Sequence, residues 1–215
     1  MCEKTLNITN GECFNTYFIS KFNGVAVPFC EAMMDGEVAE TIFSQQFIAL
    51  RAKSLNVTED EYKSKMHVPT VLNQNAYQSL ALWFGNDTFC QMNLLTLLAY
   101  LEQIQYRGVI KLNYIDDETF EILQSNIDVS LGIYNQIYKD ILILKQTPQN
   151  IGVLKATAIE LYFDYLSNNG TLANLVKANA NKSKIELIGL LLNQSKDYGL
   201  SDVQAERLIN SHLSV

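Results

Sequence analysis

Carboxylates and side-chain amides follow each of four short apolar runs in this sequence. The runs are TLNIT (5–9), VAVPF (25–29), LALWF (80–84) and VIKLNYI (109–115), and the segments after them read NGEC, CEAMMDGE, GNDTFC and DDE. Carboxylates that converge could hold a divalent metal such as Mg²⁺, the hydroxyls of a ribose, or an amine. The candidate ligand-binding residues in these segments are Asn10, Glu12, Glu31, Asp35, Asn86 and Asp87.

The four apolar runs are bounded by turn residues, which is typical of strands covered on both faces of a parallel sheet. Amphipathic patterns at 38–55, 58–66 and 88–106 lie between them, and Thr58 and Glu61 form a capping-box sequence. This alternation predicts a three-layer α/β domain over residues 1–127, with a flavodoxin-like or Rossmann-like parallel sheet of four or five strands.

Beyond residue 127 the strand signals stop, and five helical patterns follow at 130–145, 150–166, 171–179, 182–194 and 201–213. The sequence therefore predicts an all-helical C-terminal region over residues 128–215. A soft boundary falls near 127–147.

Ligands of open parallel sheets bind beyond the carboxyl ends of the strands, where the strand order reverses. If the order is 2-1-3-4, that point lies between the first and third strands, and we expect Glu12 to face Asp87 across it at roughly 4–8 Å. The competing interpretation is that Asp87 and Asp116 only cap the structures that follow them, because Asp is a preferred N-cap and turn residue. Glu12 is a poor cap and less easily explained in this way.

The charge distribution argues against nucleic acid as a partner. Residues 1–150 carry 10 basic and 17 acidic side chains, residues 151–215 carry six of each, and three arginines occur in the whole chain. Little is therefore available to neutralise a phosphate backbone. No signal-peptide pattern and no window of 18 uninterrupted apolar residues is present, so we expect a soluble cytoplasmic protein with no membrane partner.

The cysteines and histidines give weaker hypotheses. Four cysteines stand singly, which predicts reduced thiols, and the Cys-x₂₋₄-Cys pairs of structural zinc sites are absent. A thiolate metal site made of Cys13, Cys30 and Cys90, or a nucleophile–base pair of Cys90 and His67, would require the fold to bring these residues together. The chain also has no phosphate loop, dinucleotide fingerprint or nucleophile elbow.

The segments LNITNGE, VPFCEAMMDGEV and LWFGNDTFCQMNLLTLLAYL resemble the bacterial domain-of-unknown-function family numbered 1835 over most of the first 125 residues. The resemblance adds Gly11 and Gln91 to the candidate ligand-binding residues. Three positions depart from the family pattern: Met34 stands where His is common, Glu37 where Pro is, and Cys90 where a second Asp is. The family has no established activity, and some relatives carry a transcription-regulator label.

Three functional hypotheses follow from these features. The first is a binding or regulatory module for a small polar ligand such as a nucleotide, with an acidic pocket at the strand carboxyl ends. The second is a Mg²⁺-dependent hydrolase or transferase that uses Glu12 and Asp87. The third is a transcriptional regulator whose helices over residues 182–213 bind DNA, where Arg207 is the sole cation of the second helix.

Overall fold

The computed structural model describes residues 4–74 and 77–213 of the 215-residue chain. Its elements alternate between strand and helix as far as β4, and the elements after β5 are helical. In chain order they are β1 (Thr5–Asn10), α1 (Gly11–Lys21), β2 (Val25–Phe29), α2 (Gln45–Leu55), α3 (Glu59–Lys65), α4 (His67–Gln74), β3 (Ser79–Gly85), α5 (Thr88–Gln103), β4 (Val109–Ile115), β5 (Ile122–Asp128), α6 (Tyr134–Tyr138), a π-helix (Lys139–Ile143), α7 (Ala156–Leu166), α8 (Thr171–Ala178), α9 (Lys184–Gln194), a 3₁₀ turn (Lys196–Tyr198) and α10 (Asp202–His212).

The five strands form one sheet in the order β2-β1-β3-β4-β5. The first four strands are parallel, with Ile8 of β1 paired to Val27 on one side and to Leu82 on the other. This confirms the prediction of an α/β protein with a mostly parallel sheet. The chain leaves β1 towards β2 on one side and returns to β3 on the other, so the strand order reverses between β1 and β3.

The fifth strand, β5, runs antiparallel to β4 at the edge of the sheet. Its sequence ILQSNID is exposed at almost every position, and Asn126 adopts a positive φ of 59°. Backbone pairing holds this strand in place, and burial contributes little. The apolar pattern that predicts buried strands is therefore missing from β5.

The helix α5 is the centre of the core. Every residue of this helix from Cys90 to Leu101 is buried, so it is enclosed on all sides. It belongs to the same apolar cluster as Leu6 and Ile8 of β1 and Leu82 of β3. Side chains from α7, α9 and α10 belong to this cluster too. Within residues 4–74 and 77–213, no helix combines the length and apolar character needed to cross a membrane.

Three predicted helices have different bounds in the structure. The pattern at 38–55 becomes a helix only at Gln45, because Phe43 has a φ of 59° and Ser44 accepts the capping hydrogen bond from Phe47. The helix predicted at 150–166 begins at Ala156, and the one predicted at 130–145 divides into α6 and the π-helix. The Thr58–Glu61 capping box is confirmed, with both of its hydrogen bonds formed.

A buried ion pair fastens the loop after β2 to α2. The side chains of Glu31 and Arg51 are both 0% exposed, and Arg51 Nη2 lies 3.0 Å from Glu31 Oε2. Arg51 also donates to the backbone carbonyls of Ala32 and Asp35, and the hydroxyl of Tyr62 donates to Glu31 Oε1. Both charges are thus compensated by hydrogen bonds, which a buried pair requires.

We expect Arg51→Met to lower the free energy of unfolding by about 3–5 kcal/mol, because it leaves the Glu31 carboxylate buried without a counter-ion. Urea titration followed by circular dichroism measures the loss. The matched control is Lys111→Ala, which removes a surface pair with Asp128 and should cost less than about 1 kcal/mol. A similar small loss for Arg51→Met would contradict a stabilising role for the buried pair.

Candidate functional site

The carboxyl ends of β1, β3 and β4 lie side by side at the reversal of strand order. β1 ends at Asn10, and β3 and β4 end at the paired residues Gly85 and Ile115. The residues that follow β3 and β4 are Asn86-Asp87 and Asp116-Asp117. The sheet therefore places these two acidic segments next to each other.

Asp87 is the N-cap of α5. Its Oδ1 accepts a hydrogen bond of 2.8 Å from the backbone N–H of Cys90. Asp116 has the same kind of role in the turn before β5, where its Oδ1 accepts from the backbone N–H groups of Glu118 and Thr119. These hydrogen bonds hold the pKa of the exposed Asp116 carboxyl below its usual value. Both residues therefore form the capping hydrogen bonds expected of them.

Capping is not the whole environment of Asp87, because a second carboxyl group lies beside it. Carboxylate oxygens of Asp87 and Asp117 and the sulfur of Cys90 all lie within 4.8 Å of one another. Gly85 permits this approach, since a Cβ on that residue would lie 1.7 Å from Asp117 Oδ2. Asp117 is an exposed residue, but local desolvation of its carboxyl group at the wall of the site, together with the hydrogen bond and charge of Asp87, raises its pKa to about 8.

Cys90 completes this three-residue group, which we call the Asp-Cys-Asp cluster. Its sulfur lies 3.2 Å from Asp117 Oδ1 and accepts a 2.8 Å hydrogen bond from Asn10 Nδ2. Burial and the two carboxyl groups raise the pKa of the thiol well above its usual value, so the sulfur is protonated at neutral pH. Asn10 is itself held by Asn93, whose Nδ2 donates to Asn10 Oδ1 at 2.9 Å.

Two cavities open on either side of the cluster. The larger, of about 770 Å³, extends from Asp87 and Asp117 to α7, and we call it the acidic cleft. The smaller, of about 430 Å³, lies on the side of Asn10 and Cys90. Asn86 lines the acidic cleft, and its Oδ1 is buried with no hydrogen-bond partner among the described residues. The charged residues that line the acidic cleft are Asp87, Asp116, Asp117, Glu118, Glu160, Asp197 and Lys196.

A C-terminal segment, Ser195–Gly199, packs against the cluster. Thr88 Oγ1 donates to the carbonyl of Asp197 at 3.2 Å, and Lys196 Nζ lies 2.6 Å from Glu118 Oε1. A Cβ on Gly199 would lie 2.3 Å from Asp87 Oδ1. Residues from both the sheet region and the helical region therefore form the walls of the site.

The structure places Glu12 beside a cysteine and outside the Asp-Cys-Asp cluster. Glu12 is exposed in the first turn of α1, and its Oε1 lies 3.7 Å from Cys30 Sγ. The carboxyl partner of Asp87 is Asp117, and Glu12 is not a member of the cluster. Gly11 has a φ of 76° and open space beside it.

The other predicted site residues have protein partners. Glu31 is paired with Arg51, as described above. Asp35 Oδ1 accepts from the hydroxyl of Tyr165 at 2.7 Å, and its Oδ2 lies 3.8 Å from Arg207 Nη1. Gln91 donates to the carbonyl of Gly85 and accepts from the backbone N–H of Lys155. A ligand at Glu31 or Gln91 would have to displace these contacts.

The cysteines do not form the thiolate site considered from the sequence. Cys13 is exposed, Cys90 is buried, and within the described part of the chain the group able to hold a metal includes Cys90 alone of the cysteines. Burial and the nearby carboxylate of Glu12 raise the pKa of Cys30 to about 12. His67 is exposed at the start of α4, whereas Cys90 contacts Asn10 and Asp117. Cys2 lies outside the described residues.

Asp117 and Gly199 are the parts of the site that sequence reasoning missed. The DDE run after β4 was a usable signal for Asp117, since it follows a predicted strand adjacent to the third. No sequence signal connects Gly199 to Asp87, because the two residues are 112 positions apart (199 − 87) and meet only through the packing of the C-terminal helices.

Comparisons of this chain with protein-family models, curated proteins and solved structures return no match. The resemblance to the domain-of-unknown-function family 1835 therefore stays a prediction.

Gly199→Ala should destabilise the protein by roughly 1–3 kcal/mol, because the new Cβ collides with Asp87 and the backbone φ is 68°. Gly189→Ala is the matched control: it lies inside α9 with nothing within 4 Å of the added Cβ. That variant should be more stable by about 0.5–1 kcal/mol, from helix propensity. Thermal unfolding of the two variants side by side tests the contact, and an unchanged stability of Gly199→Ala would speak against it.

Proposed function

We propose that this protein is a binding module for a small polar ligand, and that the ligand presents a cation, either a divalent metal ion or an amine, to Asp87 and Asp117 in the acidic cleft. The observation that carries the proposal is the convergence of two carboxyl groups and a thiol within 4.8 Å at the reversal of strand order. The same cleft holds the unpartnered Oδ1 of Asn86.

The polar groups of the cleft favour a ligand that donates hydrogen bonds or carries positive charge. Asn86 Oδ1 and the carboxyl oxygens of Asp87 are acceptors, and a buried acceptor without a partner is costly. Six of the seven charged lining residues are acidic, and the one cation among them, Lys196, is paired with Glu118. A bare phosphate group is disfavoured here by like-charge repulsion, so a nucleotide would bind through a metal ion or its ribose.

The donor set of the cluster also suits a metal ion. Two carboxylates and one sulfur match a divalent ion that accepts both oxygen and sulfur, such as Zn²⁺, better than Mg²⁺, which prefers oxygen alone. Binding of such an ion would require the protons held by Cys90 and Asp117 to be released. The proposed cation is thus either a metal ion or an amine, and titration of the protein with each of them distinguishes the two.

The two other hypotheses have less support. A hydrolase or transferase that uses Glu12 with Asp87 would need these carboxylates to work together, but Glu12 contacts Cys30 and Asp87 contacts Asp117. A DNA-binding role for α9 and α10 would need free cations, but Arg207 lies 3.8 Å from Asp35, and Lys184 pairs with Glu206 at 2.5 Å.

The proposal predicts that Zn²⁺, Mn²⁺ or the diamine putrescine raises the melting temperature of the protein, and that Asp87→Asn weakens this binding at least tenfold, roughly the effect of losing a metal contact. The substitution is informative because Asn caps a helix as well as Asp does. It therefore keeps the hydrogen bond to Cys90 and removes only the charge. Asp117→Asn should have the same effect, measured by isothermal titration calorimetry at pH 7.5.

Two control variants accompany the titration. Asp128→Asn removes a carboxylate of a surface ion pair, and Cys13→Ser removes an exposed thiol that could bind Zn²⁺ adventitiously. Neither should change the affinity. If no ion or amine binds, or if Asp87→Asn binds as well as the parent protein, Asp87 is a cap alone and the proposal is wrong.

A further inference from the structure

Three Asn-Gly dipeptides occur in the chain, at Asn10-Gly11, Asn23-Gly24 and Asn169-Gly170. In such a pair the backbone nitrogen of the glycine follows directly after the asparagine side-chain amide, and no Cβ on the glycine hinders attack by that nitrogen. Asparagine is a thermolabile residue, and this attack is the first step of its deamidation. The three pairs share the same chemistry, so their local structures decide which of them can react.

The pair Asn23-Gly24 lies in the short connection between α1 and β2. The connection is fixed at both ends, because the N–H of Phe22 donates to the carbonyl of Phe18 at 2.8 Å and Val25 begins β2. Asn23 and Gly24 are exposed, and neither makes a hydrogen bond with another described residue. Gly24 has a φ of 136°, which glycine adopts readily. No hydrogen bond among the described residues therefore holds the Asn23 amide away from the nitrogen of Gly24.

The side chain of Asn10, in contrast, is held at both of its polar atoms. Its Nδ2 donates to Cys90 Sγ at 2.8 Å, and its Oδ1 accepts from Asn93 Nδ2 at 2.9 Å. The next residue, Gly11, is the first residue of α1. Attack of the Gly11 nitrogen on the Asn10 amide would require both hydrogen bonds to break and would disturb the start of the helix.

In the third pair the attacking nitrogen is held. The N–H of Gly170 donates to the carbonyl of Ser167 at 3.0 Å. Gly170 is buried at the N-cap of α8, where a Cβ would lie 1.9 Å from the carbonyl oxygen of Asp164. Asn169 is exposed, but its carbonyl accepts from Asn174 Nδ2 at 2.8 Å. Hydrogen bonds thus fix the backbone on both sides of the Asn169-Gly170 peptide bond.

We propose that Asn23 is a site of spontaneous deamidation, where reaction with water converts the asparagine to a mixture of aspartate and isoaspartate. The observation that carries this inference is the contrast between the free Asn23-Gly24 pair and the two hydrogen-bonded pairs of the same chain. The site does not depend on the acidic cleft or on the function proposed above. Either product adds a negative charge to the turn between α1 and β2, and isoaspartate also lengthens the backbone by a methylene group.

The reaction consists of a ring closure and a hydrolysis. Hydroxide removes the proton of the Gly24 backbone N–H, and the nitrogen attacks Cγ of Asn23. A new C–N bond forms, the bond from Cγ to the side-chain nitrogen breaks, and that nitrogen takes a proton from water and leaves as ammonia. Water then opens the succinimide ring. Cleavage at the Cγ carbonyl gives aspartate, and cleavage at the backbone carbonyl gives isoaspartate.

Incubation of the folded protein at pH 8 in water labelled with oxygen-18 tests this proposal, with each asparagine quantified by peptide mass spectrometry. Every deamidation during the incubation places a labelled oxygen in the product, so earlier events are not counted. We expect Asn23 to react at least about tenfold faster than Asn10 and Asn169, because the other two pairs must first lose hydrogen bonds. The rate at Asn23 should fall at pH 6, where hydroxide is scarcer.

The same incubation in a denaturing concentration of urea is the matched control. The three pairs then differ little in their surroundings, so their rates should become similar, with the larger gains at Asn10 and Asn169. Absence of product at Asn23 in the folded protein, or product at Asn10 or Asn169 as fast as at Asn23, would overturn the proposal. A preference for Asn23 as large in urea as in the folded protein would also overturn it, because the folded structure would then not select the site.

Discussion

The architecture of the site depends on two buried amides on the first turns of α5. Gln91 and Asn93 are both 0% exposed. Gln91 joins the end of β3 to the start of α7, through the carbonyl of Gly85 and the N–H of Lys155. Asn93 joins the end of β1 to the loop after β2, through Asn10 Oδ1 and the backbone of Glu31 and Met33. Every polar side-chain atom of Gln91 and Asn93 has a hydrogen-bond partner. These hydrogen bonds position the ends of β1 and β3, the loop after β2 and the start of α7 around the N-terminus of α5.

This arrangement explains why the C-terminal helices belong to the site. The link from Gln91 to Lys155 fixes the start of α7, which forms one wall of the acidic cleft. The contact of Gly199 with Asp87 fixes the segment before α10 against the same cluster. The residues that position the cleft are therefore distributed over the whole described chain, whereas its carboxylates come from the loops after β3 and β4.

The sequence predicted the parts of the structure that depend on local pattern. The four parallel strands, the Thr58 capping box and the position of Asp87 follow from apolar runs and turn residues. The reversal between β1 and β3 entered only as a condition, because apolar runs do not determine strand order. The sequence did not indicate that Asp117 is the carboxyl partner of Asp87 in the cluster, because which of several loop carboxylates meet is set by distant contacts. The Asp117 carboxyl group, for example, lies against Gly85 because β3 and β4 are neighbouring strands. The edge strand β5 was missed because backbone pairing, rather than burial, holds it.

The acidic cleft brings carboxyl groups together without a matching set of cations. Asp87 and Asp117 meet in the cleft, where the cluster retains protons that a cation could replace. Elsewhere the buried ion pair and the capped turns satisfy their charges with protein partners. A charged or buried polar group without a protein partner costs stability. Proteins keep such groups mainly where they serve a function. The acidic cleft, where Asp87 and Asp117 meet beside the unpartnered Asn86 Oδ1, is on this physical ground the place where chemistry is to be sought.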